Sequence, residues 1–288
     1  MVTLGLIYDR LRWEEKALAE AAEANKVNVI RVDAKSIYLD SDWSSSETKK
    51  MFGHVILQRC ISYFRGLHTT AFLESKGLPV INKMDVSLTC GNKLLTTSKL
   101  SKAKVPTPRT LFSFTEEGAL KSLQEIGYPA VLKPVTGSWG RMVVRLKDEE
   151  MAQAILEMRA HLEGPLDHIF YIQELVKRPP RDIRTIVAGD KIIAAMYRYS
   201  PEGDWRTNIA IGGKGEICKV TSELEDIVLR AAETVGGGLL GVDAMESPQG
   251  ILVHEVNNTV EFKGAASVCN VDIADEIIKY ALLVEKRS

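Results

Sequence analysis

Apolar and polar positions along this chain switch repeatedly between a two-residue and a 3.6-residue period. Leu4-Gly5-Leu6-Ile7-Tyr8 reads as a short apolar strand, and the spacing that follows predicts a helix over about 13–25. Residues 27–32, 54–58 and 78–81 read as further strands, with a helix over about 66–76 before the last. The polar, serine-rich Asp40-Ser41-Asp42-Trp43-Ser44-Ser45-Ser46 is expected to be a surface loop. Strands alternating with helices imply a small parallel sheet covered on both faces. No G-x-G-x-x-G follows the first strand, so a dinucleotide site has no support there.

A helix over about 85–102 comes next and carries Lys93; the stiff connector Val105-Pro106-Thr107-Pro108 follows. Beyond it the pattern predicts a strand near Thr110, a helix over about 116–126 and a strand over 130–134. A helix over about 148–161 precedes a strand over 169–176, and residues 183–187 and 191–199 form a hairpin around Ala188-Gly189-Asp190. Trp205-Arg206-Thr207-Asn208 and Gly212-Gly213-Lys214-Gly215 fall in a loop-rich region, followed by a helix over about 222–235. Leu239 to Met245 and Leu252 to Asn257 read as a second hairpin, turned by Ser247-Pro248-Gln249-Gly250, and a helix over about 272–285 closes the pattern. The expected units are 1–84, 85–172 and 173–288.

Composition changes this picture little. At 288 residues, 45% hydrophobic and 26% charged, the chain can build two or three well-cored lobes and is not of disordered type. A formal net charge of −1 gives no reason to expect nucleic acid as a partner, and no apolar run approaches the roughly 20 residues of a membrane span. The N-terminal stretch shows no basic leader, so a cytoplasmic location and no membrane association are expected. Cys60, Cys90, Cys218 and Cys269 are scattered, with no C-x-x-C pair, and suggest neither a zinc site nor a disulfide framework.

The chemistry lies in the later segments. Glu255 and Asn257 are two apart on a strand, so their side chains share a face, and the hairpin brings Asp243 near them. Carboxylate and carboxamide oxygens are hard ligands of the kind Mg²⁺ takes together with phosphate oxygens; the same residues would also suit a solvated hairpin face. Val135-Thr136-Gly137-Ser138-Trp139-Gly140-Arg141-Met142-Val143-Val144 is a glycine-containing loop between two strands, without the G-K-[ST] of a Walker A loop. Its backbone N–H groups can cradle an anion and Arg141 can add a bidentate contact, or it is a plain hairpin tip. The end of the strand at Gln173-Glu174-Leu175-Val176 can offer backbone groups to a purine edge. Lys177-Arg178-Pro179-Pro180-Arg181-Asp182-Ile183-Arg184 is strongly basic, either solvated charge or a cradle for an acidic partner.

Taken in order, the two lysines, the glycine loop, the Gln-Glu-Leu-Val connection and the late Asp…Glu-x-Asn set resemble the ATP-grasp superfamily. Gly137-Ser138-Trp139-Gly140-Arg141, Arg181-Asp182-Ile183-Arg184, Trp205-Arg206-Thr207-Asn208, Glu261-Phe262-Lys263 and Leu11-Arg12-Trp13-Glu14-Glu15 are similar to its LysX/ArgX branch, related to RimK. The fold so implied is α/β: two α+β ATP-grasp lobes preceded by a small Rossmann-like parallel-sheet domain. The resemblance implies that Lys93 and Lys133 contact ATP, that Gly137, Ser138, Trp139, Gly140, Arg141, Met142 and Val143 form a flap over its phosphates, and that residues 173–184 line the adenine and ribose, with Gln173, Glu174, Leu175, Val176, Asp182 and Arg184 among them. Asn208 would also touch ATP, and Arg184, Arg198 and Asn208 would serve the reaction. Asp243, Glu255 and Asn257 would hold two Mg²⁺ ions, and Arg198, Ile209, Ala210 and the Glu261-Phe262-Lys263-Gly264-Ala265 loop would bind the amino-acid substrate.

The reaction implied is formation of an amide through an acyl phosphate. The C-terminal glutamate side chain of the acidic carrier protein LysW is phosphorylated, and an amino acid's α-amino group attacks it, in lysine or arginine biosynthesis. Family members are separated by the two residues after Phe-Lys: Asn with Ser or Thr for 2-aminoadipate, Gly-Phe for glutamate. Gly264-Ala265 matches neither; the missing phenylalanine leaves room for 2-aminoadipate, and the missing asparagine leaves glutamate open as a second substrate. Other readings are a RimK-like ligase adding glutamate to another acceptor and, outside enzymes, a synapsin-like ATP-binding protein. A homo-oligomer, dimer or tetramer, is expected.

Overall fold

The computed structural model describes residues 2–137, 139–207 and 213–287. Its first part runs β1 (Thr3–Tyr8), α1 (Trp13–Ala24), β2 (Asn28–Asp33), α2 (Ser45–Phe52), β3 (Val55–Gln58), α3 (Tyr63–Ser75) and β4 (Val80–Ile81). The strands pair in parallel in the order β2-β1-β3-β4, the small covered sheet that the alternation predicts. Leu4, Leu6 and Leu57 face one core and Ile7, Ile56 and Val80 the other. Residues 40–44 of the serine-rich stretch are loop as expected, but a helix begins at Ser45. Ser44 accepts from the Glu47 backbone N–H at 3.2 Å while the Glu47 carboxylate accepts from the Ser44 N–H at 2.8 Å, a capping box that starts α2.

The single helix expected over 85–102 is two, α4 (Met84–Cys90) and α5 (Lys93–Lys102). Asn92 ends the first and caps the second, its side-chain oxygen accepting from the Leu94 and Leu95 N–H groups. Lys93 thus opens a helix instead of lying inside one. Val86, Leu100 and Val105 pack with the core of the C-terminal lobe, so this helix pair belongs physically to that lobe. The central sheet follows: β5 (Thr110–Ser113), α6 (Glu116–Ile126), β6 (Ala130–Lys133), β7 (Val144–Leu146), α7 (Glu149–Ala160) and β8 (Phe170–Glu174). Its antiparallel order is β5-β8-β6-β7, with a core of its own around Leu123, Leu132, Leu156 and Ile172.

The last part comprises β9 (Arg181–Ala188), β10 (Lys191–Tyr199), β11 (Lys214–Ile217), α8 (Ser222–Val235), β12 (Leu239–Ser247), β13 (Gly250–Asn257), α9 (Lys263–Ala266) and α10 (Ile273–Arg287). β11 lies where only loop is predicted, added to the edge of the antiparallel sheet β11-β10-β9-β12-β13. Side-chain alternation splits this sheet into two faces. Ile183, Val187, Ala195, Val242, Ala244, Val253 and Val256 pack on α8. On the other face the strands are apolar at one end and ionic at the other. Ile186, Ala194, Met196 and Leu239 share a core with the N-terminal sheet, while Asp182, Arg184, Arg198 and Asp243 lie further along the same face.

The N-terminal and C-terminal parts are also locked by Asn82. Its side chain donates to the Leu239 and Asn258 carbonyls, both at 2.7 Å, and accepts from the Leu239 N–H at 2.6 Å. Gly238 makes this possible: its φ is +116°, and a Cβ there would sit 2.1 Å from the Asn82 oxygen. No helix among the described residues is long and apolar enough to cross a membrane.

Candidate active site

The ionic end of the C-terminal sheet is built by register. Asp243 lies opposite Glu255 and Gly241 opposite Asn257, so Asp243, Glu255 and Asn257 share a face, and the Asn257 amide donates to Asp243 at 3.4 Å. The pairing skips a residue between Asp243/Glu255 and Ala244/Val253. The extra residue is His254, and this bulge turns His254 and Glu255 to the same side while Val253 and Val256 stay in the core. Alternation alone does not reveal His254 as a site residue; it lines the cleft, with its Nε2 buried, unbonded and 3.8 Å from an Asp182 oxygen. Burial holds its pKa below the usual histidine value, against the upward pull of the nearby Asp182 carboxylate.

Charge in the cleft is arranged as alternating partners. The Arg184 guanidinium grips both oxygens of Asp243. Arg198 bonds both oxygens of Asp182 at 2.8 and 2.7 Å and approaches Asp243 at 3.2 Å, and Thr207 donates to Asp182 at 2.5 Å. Burial pushes the Asp182 carboxyl up, but Arg198 and His254 overcome it and hold the group far below the usual carboxylate range. Lys93 pairs with Glu255 at 3.0 Å and donates to the Gly137 carbonyl at 2.8 Å, tying the glycine loop to Glu255. Burial also opposes ionisation of Glu255, yet Lys93, His254 and Lys133 hold its pKa at about 2. Lys133, on β6, is buried and donates to Gln173 at 2.7 Å; burial lowers its pKa to about 8.

Two adjoining cavities open here. The first lies between the central and C-terminal sheets and brings together Lys93, Lys133, Gly137, Trp139, Gly140, Arg141, Val143, Gln173, Glu174, Leu175, Val176, Asp182, Arg198, Asp243 and Glu255. No hydrogen bond engages the backbone of Leu175 or Val176 among the described residues, so that edge is open to a planar polar ligand. Arg178, Met245, Trp205, Arg206 and Thr207 line it too; of these, the basic run and the Trp205-Arg206-Thr207 motif are visible in sequence, whereas Met245 gives no signal. The second cavity, about 840 Å³, lies between the N-terminal and C-terminal parts. It holds Arg184, Asn257, Glu261, Lys263, Gly264 and Ala265, shares Gly137, Trp139, Arg198 and Glu255 with the first, and is walled by Arg10, Arg12, Trp13 and Tyr63 of the N-terminal domain.

Some expected residues sit elsewhere. Met142 is exposed and lines neither cavity. Phe262 is fully buried, its ring edge-on to Trp13, so it anchors the loop from below and offers no surface to a ligand. Ser138, Asn208, Ile209 and Ala210 lie outside the described residues. Most of the basic run is already engaged: Arg178 bonds the Arg181 and Trp205 carbonyls, Arg181 pairs with Glu246 and Arg184 with Asp243. Among the described residues, Lys177 is the one cation of that run without such a partner.

No group of three or more His, Cys, Asp and Glu that could hold a metal ion occurs among the described residues. The Asp243, Glu255 and Asn257 set has two carboxylates and one carboxamide, all hard oxygen donors on one face. That is a poor set for zinc and a fitting one for Mg²⁺, which keeps much of its shell for water and phosphate.

Comparison with known proteins matches residues 90–281 to the RimK-like ATP-grasp domain and residues 4–89 to the LysX preATP-grasp domain. The chain is 38% identical to an alpha-aminoadipate–LysW ligase LysX of Sulfurisphaera tokodaii, over 96% of each chain. It is 33% identical, again over 96% of each, to a glutamate–LysW ligase ArgX of the same organism. Its fold is similar to a RimK domain ATP-grasp protein from Sphaerobacter thermophilus, with a TM-score of 0.76 at 25% identity, covering 97% of this chain and 99% of the other.

Proposed function

Because this chain belongs to the LysX/ArgX branch of the RimK-like ATP-grasp ligases, we propose that it joins the C-terminal glutamate side chain of LysW to the α-amino group of 2-aminoadipate. The chain is an ATP-dependent carboxylate–amine ligase. An oxide is too poor a leaving group for direct attack by an amine, so the carrier carboxylate first takes the γ-phosphoryl group of ATP, releasing ADP. The amine then attacks the acyl carbon, the C–N bond forms, phosphate leaves, and the amine gives up a proton. Glutamate is the second substrate and serves arginine biosynthesis. One methylene discriminates by only about 1–3 kcal/mol, and Ala265 puts a small side chain on the cavity wall.

The observation that carries this reading is the meeting of two cavities at Glu255 and Arg198. The first has cations at one end and an open backbone edge at the other, as a nucleotide requires; the second reaches the Glu261 to Ala265 loop. In this reading Lys93, Lys133 and Arg141 hold phosphates, Leu175 and Val176 meet the base, and Asn208 adds a contact. Asp243, Glu255 and Asn257 would hold two Mg²⁺ ions, which when bound would supply positive charge against the transferring phosphoryl group. Arg184 and Arg198 now neutralise Asp243 and stay beside the reacting groups, so positioning and charge do the work without an enzyme nucleophile. Ile209, Ala210, Lys263, Gly264 and Ala265 bind the amino acid. The glycine loop excludes water from the acyl phosphate.

Incubating the protein with ATP, Mg²⁺, LysW and either amino acid, and weighing the product, tests this directly. ADP release should require both carrier and amino acid, with 2-aminoadipate the better substrate. Glu255→Ala should lower turnover about hundredfold or more while ADP still binds. ADP release without the carrier would defeat the proposal, and nucleotide binding with no ligation on any acceptor would favour a binding protein.

A further inference from the structure

Successive residues at the start of α1 meet successive residues of the 261–263 segment. Arg12 donates to one Glu261 oxygen at 2.9 Å, Trp13 packs edge-on against Phe262 at 5.6 Å between centroids, and Glu14 accepts from the Lys263 backbone N–H at 3.3 Å. Arg12 is itself fixed, bonding the fully buried Glu15 carboxylate at 3.0 and 2.7 Å. Glu261 has a second partner: its other oxygen accepts from the Trp139 indole N–H at 3.1 Å. One carboxylate therefore joins the N-terminal domain, the glycine loop and the 261–263 segment.

Stability is a poor explanation for this junction. The Glu261 side chain is 41% exposed, and ion pairs in such settings contribute little. Its effect is on position. Trp139 lines both cavities, at a φ of +61° and with the Arg141 guanidinium 4.9 Å over its ring, so whatever holds the indole sets the boundary between them.

We propose that Glu261 is a positioning residue that couples the glycine loop to the second cavity, so that occupancy of either cavity strengthens binding in the other. With Arg12 holding one oxygen, the remaining oxygen is aimed at the Trp139 indole, and closing the loop over the first cavity completes a wall of the second. The inference rests on reading the first cavity as the nucleotide site and the second as the amino-acid site. Linkage makes the effect reciprocal: a nucleotide that favours the joined arrangement tightens amino-acid binding by the factor that the amino acid tightens nucleotide binding.

The test is the dissociation constant of ADP in Mg²⁺ buffer, by calorimetry, with and without saturating 2-aminoadipate and again with glutamate. In the unmodified protein one of these amino acids should tighten ADP binding about fivefold or more. Trp139→Phe keeps an aromatic ring and loses the indole N–H; Glu261→Gln keeps one acceptor and loses the charge. In each variant, whatever its own affinity for ADP alone, the factor should fall close to one. Trp139→Phe changes only a loop side chain, so the test does not depend on Glu261→Gln folding normally. An unchanged factor in both variants, or a factor of one in the unmodified protein with both amino acids, overturns the coupling and leaves the nucleotide reading standing. Failure of the unmodified protein to bind ADP overturns both.

Discussion

Lys133 concentrates the electrostatics of the cleft in one side chain. The residue is 8% exposed, and its ammonium is hydrogen-bonded to Gln173 at 2.7 Å and lies 5.8 Å from the Tyr171 ring centre. Burial lowers its pKa from 10.5 to about 8, against the upward pull of Glu255. The folded value lies below the unfolded one, so the charged lysine costs stability below about pH 8, and that cost fades as pH rises toward 10.5. A polyphosphate favours the charged form. Binding above the free-protein pKa must therefore take up a proton, and ADP affinity should fall as pH rises through about 8, by up to about tenfold per unit. Titrating ADP across this range should show that fall in the unmodified protein and a flatter, weaker profile in Lys133→Met. An equal slope in both would assign the titration to another group.

Elements differ in how openly they declare themselves, and the difference follows from where their signals lie. The helix over Trp13–Ala24, the parallel strands and the β12–β13 hairpin are legible because apolar spacing and turn residues agree. α2 is not, since its polar run hides a Ser44-x-x-Glu47 capping box that marks a helix start more firmly than composition marks a loop. Ser44→Ala should lower stability by about 1 kcal/mol, read as a shifted denaturation midpoint with an unchanged slope. No shift would mean that tertiary packing alone holds the helix. The Asp243, Glu255 and Asn257 face is legible from strand period and hairpin pairing. His254 is not, because a bulge is a one-residue break in register that depends on the partner strand. Neither is the Arg12–Glu261 contact, whose partners stand 249 residues apart.

At the scale of the whole molecule, the N-terminal domain is structurally part of the site. Leu6 and Leu57 of the first sheet, Ile186 and Met196 of the last, and Ile277 of α10 belong to one buried cluster, and Asn82 closes the seam with three hydrogen bonds. The central sheet, by contrast, has a separate core. This division predicts how the protein unfolds. Ile277 is fully buried, and its truncation to alanine should cost about 2–5 kcal/mol. Because the cluster spans both sheets, the loss should appear in both together, as one shifted transition followed by tryptophan fluorescence and by far-ultraviolet circular dichroism. Two separated transitions, with only one moved by Ile277→Ala, would show that the N-terminal sheet folds independently. Its wall of the second cavity would then be free to move relative to the Glu261 segment. A single transition would show that this wall and the Glu261 segment share one cooperative unit through the common core.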